Sequence, residues 1–101
     1  MSVNGTTVVR LAGDLDVAAQ RELIDHFARE VPAGDPVEID LANVSFIDSA
    51  GLNALLKLIK TLREGGTSVR VISAAPQALK LFDVSGLRES LMGDGGDLPG
   101  W

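Results

Sequence analysis

Short β-branched segments alternate three times in this chain with longer segments whose apolar residues have helical spacing. The β-branched segments are residues 6–12, 37–41 and 69–73, where buried and exposed positions are expected to alternate. A helix separates each strand from the next within a step of about 30 residues, which favours parallel pairing through right-handed crossovers. The pattern predicts a single small α/β domain with a mainly parallel sheet.

The most regular helical pattern follows the second strand, which Val44, Phe46 and Ile47 extend with apolar side chains. Five apolar residues recur there at the spacing of one buried helix face: Leu52, Leu55, Leu56, Ile59 and Leu62. The helix is predicted over residues 49–64. Gly65-Gly66 then supplies the stop expected just past a helix C-terminus.

The outer face of this helix is expected to be basic. Lys57, Lys60 and Arg63 fall on it near the C-terminal end, where cations suit the helix dipole. Ordinary solvation is favoured over a partner contact for these three side chains. Leu58 falls away from the core face and is expected to be exposed.

Two further helices flank the central one. Asp16 is placed as the N-cap of the first helix, which Pro32 and Gly34 should end. Pro76 suits the first turn of the third helix, and Gly86 should cap its C-terminus. The core faces of the two helices are predicted to contain Leu23, Ile24, Phe27, Val31, Ala78, Leu79 and Phe82.

Length and charge limit the range of functions. With 101 residues, 46% of them hydrophobic, the chain is expected to form one domain over residues 1–92, followed by a Gly-rich C-terminal tail at 93–101. A net charge of −5 argues against direct binding of nucleic acid. No leader-like N-terminus and no membrane-length apolar run occur in the sequence, so we expect a soluble, cytoplasmic protein without membrane insertion.

Asp48 and Ser49 precede the central helix directly. The first amides of a helix have no intrahelical partner, so a carboxylate or hydroxyl there can accept their hydrogen bonds. A plain capping role and a functional role for this pair are about equally supported by the residues alone.

Three motifs carry a family resemblance. Residues 45–52 read Ser-Phe-Ile-Asp-Ser-Ala-Gly-Leu, residues 13–16 read Gly-Asp-Leu-Asp, and residues 81–87 read Leu-Phe-Asp-Val-Ser-Gly-Leu. Together, and in this order, they resemble the signatures of STAS-domain anti-sigma factor antagonists. The resemblance implies a mixed sheet with helices packed mostly on one face.

The resemblance also implies a function. Ser49 would be phosphorylated, with Ser45 and Ser85 as competing acceptors. The unphosphorylated protein would bind an anti-sigma factor serine kinase and free the sigma factor, and a serine phosphatase would act on phospho-Ser49. The alternative is a STAS adaptor or structural subunit of a lipid-transport or stress-signalling assembly, without a phosphorylation cycle.

A contact surface is predicted at two turns that follow neighbouring parallel strands, since such turns meet at one sheet edge. Helix periodicity adds one exposed residue of the central helix to this surface. The predicted partner-binding residues are Asp14, Asp16, Asp48, Ser49, Ala50, Gly51 and Asn53.

Catalytic constellations are not found in the sequence. There is no Cys, the one histidine is His26, and no phosphate-binding Gly-rich loop lies between a strand and a helix. We therefore expect no enzymatic activity, no metal site and no cofactor. Two alternatives remain open: Asp14, Asp16 and Asp48 could hold Mg²⁺ for phosphoryl chemistry, and a nucleotide could occupy a pocket.

Overall fold

The computed structural model describes residues 2–3, 5–16, 19–30 and 35–92. Within these residues the strands are β1 (Ser2–Val3), β2 (Thr6–Leu15), β3 (Val37–Ile47) and β4 (Val69–Ala74). They form one sheet in the order β1-β2-β3-β4, with β1 antiparallel to β2 and the other neighbours parallel. The mixed, mainly parallel sheet predicted from the sequence is confirmed.

The three predicted helices are present in the predicted order, and a short fourth helix that was not predicted follows them. They are α1 (Ala19–Glu30), α2 (Ser49–Glu64), α3 (Pro76–Val84) and the short α4 (Arg88–Met92). The bounds of α2 are those predicted, and Gly86 lies just past α3 with φ of 71°, as expected for a glycine stop. The predicted end of α1 at Pro32 and Gly34, the side chain of Ile24, Val31 and the tail at 93–101 lie outside the described residues.

One face of the sheet carries the core. Alternate strand residues point into it and are almost fully buried: Val9, Leu11, Val37, Ile39, Leu41, Val69 and Val71. The helices cover this face with Leu23, Phe27, Leu52, Leu55, Ile59, Ala78 and Phe82. Burial of this apolar area is the main term that stabilises the domain.

The opposite face of the sheet carries charged pairs. Arg10 Nε lies 3.6 Å from Asp40 Oδ2, and Arg70 Nη2 lies 3.1 Å from Glu38 Oε2, each pair spanning two neighbouring strands. Such cross-strand pairs suit a face that stays in water. The prediction that helices pack mostly on one face is confirmed.

The first long strand extends further than predicted. The sequence indicated a strand over residues 6–12, but β2 continues to Leu15. It can do so because β3 continues to Ile47, so Asp14 and Leu15 find partners in Phe46 and Ile47. Gly13 lies at a register shift with φ of 84°, a bulge conformation that favours glycine.

The outer face of α2 differs from the prediction at two residues. Lys57 and Lys60 are exposed as expected, but Arg63 reaches back to the backbone of β4 and α4. Its Nη2 donates to Val69 O at 2.6 Å and to Ser90 O at 3.0 Å, and burial lowers the pKa of the guanidinium. Leu58 is partly buried and packs against the core.

Candidate functional site

The carboxyl ends of β2 and β3 meet at one edge of the sheet. Asp14 pairs with Phe46, and Leu15 pairs with Ile47, in parallel register. The Asp48 amide then donates to Leu15 O at 3.3 Å, one residue past the end of β3. The two segments predicted to lie side by side are therefore neighbours in the fold.

Asp48 is the N-cap of α2. Its backbone is extended, with φ of −107° and ψ of −177°, and its Oδ1 accepts from the Gly51 amide at 2.8 Å. Its carbonyl accepts the first intrahelical bond from Leu52, also at 2.8 Å. One of the four unpaired amides at the helix start is satisfied in this way. The capping role considered for this residue is confirmed.

Gly51 is buried against the last residue of β2. A Cβ built on Gly51 would overlap the carbonyl group of Leu15. The glycine therefore lets α2 begin directly on the strand, and it has a packing role. Ala50, beside it, is only partly buried.

Ser49 is the first residue of α2 and is exposed. Asn53 and Lys57 follow at intervals of one helical turn and are exposed too, so the three residues form one accessible stripe. Ser45 and Ser85 are also exposed, so exposure alone does not separate the three serines. Their positions do: Ser45 lies within β3, and Ser85 lies at the C-cap of α3.

The acidic residues of the predicted surface lie at the end of β2. Asp14 is exposed and Asp16 is partly buried. The cap predicted at Asp16 stays a prediction, because α1 is described from Ala19 and residues 17–18 lie outside the described part of the chain. In that part, no group of three His, Asp or Glu side chains is arranged to hold a metal ion. The geometry thus offers no support for the magnesium alternative.

A cleft of about 240 Å³ opens beside this edge, between β2 and α1. His26 lines it and is partly buried, with its ring 6.3 Å from that of Phe27 in an edge-on arrangement. The other lining residues are Arg10, Leu11, Ala12, Asp14, Leu15, Glu22 and Leu23. The lining of the cleft thus contains both apolar side chains and charged side chains of both signs.

Two residues of the site were not found by sequence reasoning. Gln77, at the start of α3, binds both backbone groups of Ile47 through its side-chain amide. A glutamine in a first helical turn gives no sequence signal for such a contact. Phe46, grouped in the sequence with the apolar Val44 and Ile47, is 45% exposed beside Asp14. The one sequence signal for the exposure of Phe46 was that the apolar residues 44, 46 and 47 do not alternate strictly.

The protein is thus a small α/β domain. At one edge of its sheet, the turn from β3 into α2 exposes the hydroxyl of Ser49 at the start of the helix. The chain belongs to the STAS domain family: the family model described as "Mlab, STAS domain" matches residues 2–93. The three motifs thus indicated the correct family. Among the described residues, no helix is long and apolar enough to cross a membrane.

Two curated relatives are named as anti-sigma factor antagonists. An anti-sigma-B factor antagonist of Bacillus subtilis (strain 168) is 28% identical over 81 residues, covering 80% of this chain and 74% of the relative. An anti-sigma-B factor antagonist of Staphylococcus epidermidis is 30% identical over 82 residues, covering 80% of this chain and 76% of the relative. This chain is thus similar to anti-sigma factor antagonists over most of its length.

Solved structures share the fold. The anti-sigma factor antagonist SpoIIAA in its unphosphorylated form superposes with a TM-score of 0.64 at 24% identity, over 91% of this chain and 82% of that one. A sulfate transporter family protein from Wolinella succinogenes gives a TM-score of 0.68 at 17% identity, over 90% and 75% of the two chains. At these identities the likeness concerns the fold alone.

Proposed function

We propose that this protein is an anti-sigma factor antagonist whose binding is switched by phosphorylation of Ser49. In the unphosphorylated form it binds an anti-sigma factor serine kinase and frees the sigma factor. The kinase then phosphorylates Ser49, and a serine phosphatase restores the active form. The proposal includes no catalytic activity of the domain itself, and it agrees with the names of the curated relatives, which describe regulation.

The position of Ser49 carries the proposal. Its hydroxyl is exposed at the first residue of α2, and the neighbouring Ala50 is small enough to allow close approach of a kinase. A phosphate at a helix N-terminus faces unpaired amides and the positive end of the helix dipole. Within the first turn of α2 no acidic side chain opposes it, and the adjacent Asp48 directs one carboxylate oxygen to the Gly51 amide. The modification is therefore compatible with the fold.

The same charge would weaken binding to a partner. Phosphorylation adds about −2 charge at neutral pH beside Asp48 and close to the end of β2, where Asp14 is exposed. A partner contact at this edge must desolvate that charge, and each ~1.4 kcal/mol of lost binding free energy lowers affinity tenfold. A hundredfold loss of affinity requires only about twice that binding free energy.

Labelling with radioactive ATP and a purified anti-sigma factor serine kinase tests the proposal. Wild type, Ser45→Ala and Ser85→Ala should be labelled equally, and Ser49→Ala should not be labelled. In a pull-down, wild type and Ser49→Ala should retain the kinase, whereas Ser49→Asp should not. Labelling of Ser49→Ala at the wild-type level would refute the assignment.

The alternative implied by the sequence resemblance is an adaptor or structural subunit of a lipid-transport or stress-signalling assembly. Such a subunit would dock a partner through the same turn without a phosphorylation cycle. A transport or stress-signalling partner retained equally by wild type and Ser49→Asp, with no kinase retained by either, would favour the adaptor.

A further inference from the structure

Within the described part of the chain, no strand pairs with the β4 side of β3 near the site. The pairing of β3 with β4 ends at Leu41 and Ala74, and Ala75 N adds a last bond to Leu41 O at 3.4 Å. β3 nevertheless continues to Ile47. Its final residues have β2 on one side, so the backbone groups on the other side need partners from elsewhere.

Gln77 supplies these partners at the last residue of β3. The Ile47 amide donates to Gln77 Oε1 at 2.9 Å, and Gln77 Nε2 donates to Ile47 O at 2.8 Å. One side-chain amide thus replaces the N–H and C=O that a neighbouring strand would offer. The orientation of the amide follows from the contacts, because an N–H needs an acceptor and a carbonyl needs a donor.

The helix that carries Gln77 is held in place by the core. Gln77 follows Pro76 at the start of α3, and the helix is held by Ala78 and Phe82, which are 1% and 0% exposed. Core packing therefore fixes the backbone of Gln77, and its exposed side chain reaches from there to Ile47, 30 residues away along the chain.

The next residue is fixed from the opposite side. Ile47 is held by Gln77, and the amide of Asp48 donates to Leu15 O of β2. These contacts set the peptide planes immediately before Ser49. Rotation of either plane would move the Asp48 carboxylate away from the Gly51 amide. The helix start would then lose its cap and change its geometry.

We propose that Gln77 is a positioning residue for the Ser49 site: it completes the edge of β3 and holds the Asp48–Gly51 turn in the geometry that a kinase and a binding partner recognise. Its effect on phosphorylation depends on the proposed function. Its effect on the turn does not, and can be measured on the isolated protein.

Amide hydrogen exchange, followed by NMR, tests the role in the turn. Gln77→Met keeps the length of the side chain and removes both hydrogen bonds, and Lys80→Met is the control on the same helix. The Ile47 amide should exchange about tenfold faster or more in Gln77→Met and the Gly51 amide several-fold faster, both by more than the core amide of Ile39, which reports global unfolding. Lys80→Met should match wild type at all three amides.

Gln77→Glu is a second, milder variant, since it keeps an acceptor for the Ile47 amide and loses the donor. Its exchange rates should fall between those of wild type and Gln77→Met, and it carries the test if Gln77→Met does not fold. Faster exchange at Ile47 with wild-type exchange and chemical shifts at Gly51 would overturn the proposal, because Gln77 would then only fill the strand edge. Unchanged exchange at Ile47 would overturn it too.

Kinase labelling adds the functional measurement. The kcat/KM for Ser49 phosphorylation should fall about tenfold in Gln77→Met and less in Gln77→Glu, since misplacing a reacting group costs rate. A wild-type kcat/KM in Gln77→Met, with Gly51 exchange accelerated, would overturn the link to the site. If wild type itself were not labelled, the proposed function would fail, and exchange at Gly51 would still decide whether Gln77 positions the turn.

Discussion

The carbonyl group of Leu15 occupies the space that a side chain on Gly51 would need. The end of β2 and the first turn of α2 are thereby in backbone contact. Any side chain at residue 51 must push the helix away from the sheet.

Gly51→Ala should therefore destabilise the domain, by about 2 kcal/mol or more in free energy of unfolding, because backbone cannot yield as a flexible side chain can. Gly65→Ala is the control, since its Cβ would meet ordinary contacts at 3.5 Å and 3.6 Å and its φ is −80°. Urea unfolding should leave Gly65→Ala within about 0.5 kcal/mol of wild type. Equal stability of the two variants would contradict the packing role of Gly51.

Asp48→Ala should lower the free energy of unfolding by about 1 kcal/mol, because the Gly51 amide loses its acceptor. Asp48→Asn keeps an oxygen at the same place and should lie within a few tenths of a kcal/mol of wild type. Urea unfolding at low ionic strength checks both variants. An equal loss in Asp48→Asn would mean that the negative charge of Asp48, rather than its hydrogen bond, stabilises α2.

Ser49→Asp and Ser85→Asp should change stability in opposite directions. Ser49 begins α2, where a negative charge meets the positive end of the helix dipole, and Ser85 is the C-cap of α3, at the negative end. Each effect should be about 0.5 kcal/mol at low ionic strength and should shrink with added salt. Thermal unfolding at two salt concentrations measures both stability changes. A loss of stability in Ser49→Asp would contradict the statement that the fold tolerates a phosphate on Ser49.

Arg63→Met should cost about 1–3 kcal/mol in free energy of unfolding, because the carbonyls of Val69 and Ser90 lose their donor. Lys60→Met, on the exposed face of the same helix, should stay within about 0.5 kcal/mol of wild type. Although burial lowers its pKa, the Arg63 guanidinium stays protonated, so the loss should be the same at mildly acidic and mildly alkaline pH. A loss that disappears at either pH would contradict this assignment.

Ala50→Trp should abolish both kinase binding and phosphorylation of Ser49 while changing the thermal midpoint by only a few degrees. Ala50 is partly buried at the start of α2, so an indole there projects over Ser49 without entering the core. Pull-down and differential scanning calorimetry on one preparation test both statements. Unfolding of the variant would show that Ala50 is a packing residue and that the contact surface is misassigned.

The central helix could be predicted to the residue because its signals are local. Asp48 caps it, and its apolar residues repeat at helical spacing. Gly65 and Gly66, which end it, directly follow its last residue. The meeting of the Asp14 and Asp48 segments was predictable as well, since parallel neighbours end at the same sheet edge.

Other features depend on contacts between distant parts of the chain. The length of β2 depends on how far β3 runs, and the environment of Arg63 depends on β4 and α4 being folded beneath it. The Gln77 contact joins residues 30 positions apart, with no periodicity to mark it. Helical spacing alone placed Arg63 on a solvated face because it describes one helix at a time.

The ion pairs on the uncovered face of the sheet also decide how this domain meets its neighbours. To stack there, a second protein would have to strip water from Arg10, Asp40, Arg70 and Glu38 together, and each ion costs several kcal/mol to desolvate. The desolvation cost therefore disfavours stacking of a second protein on this face. Under the proposed function, partners contact the narrow rim where the strands end, and one phosphate added there would control the contact.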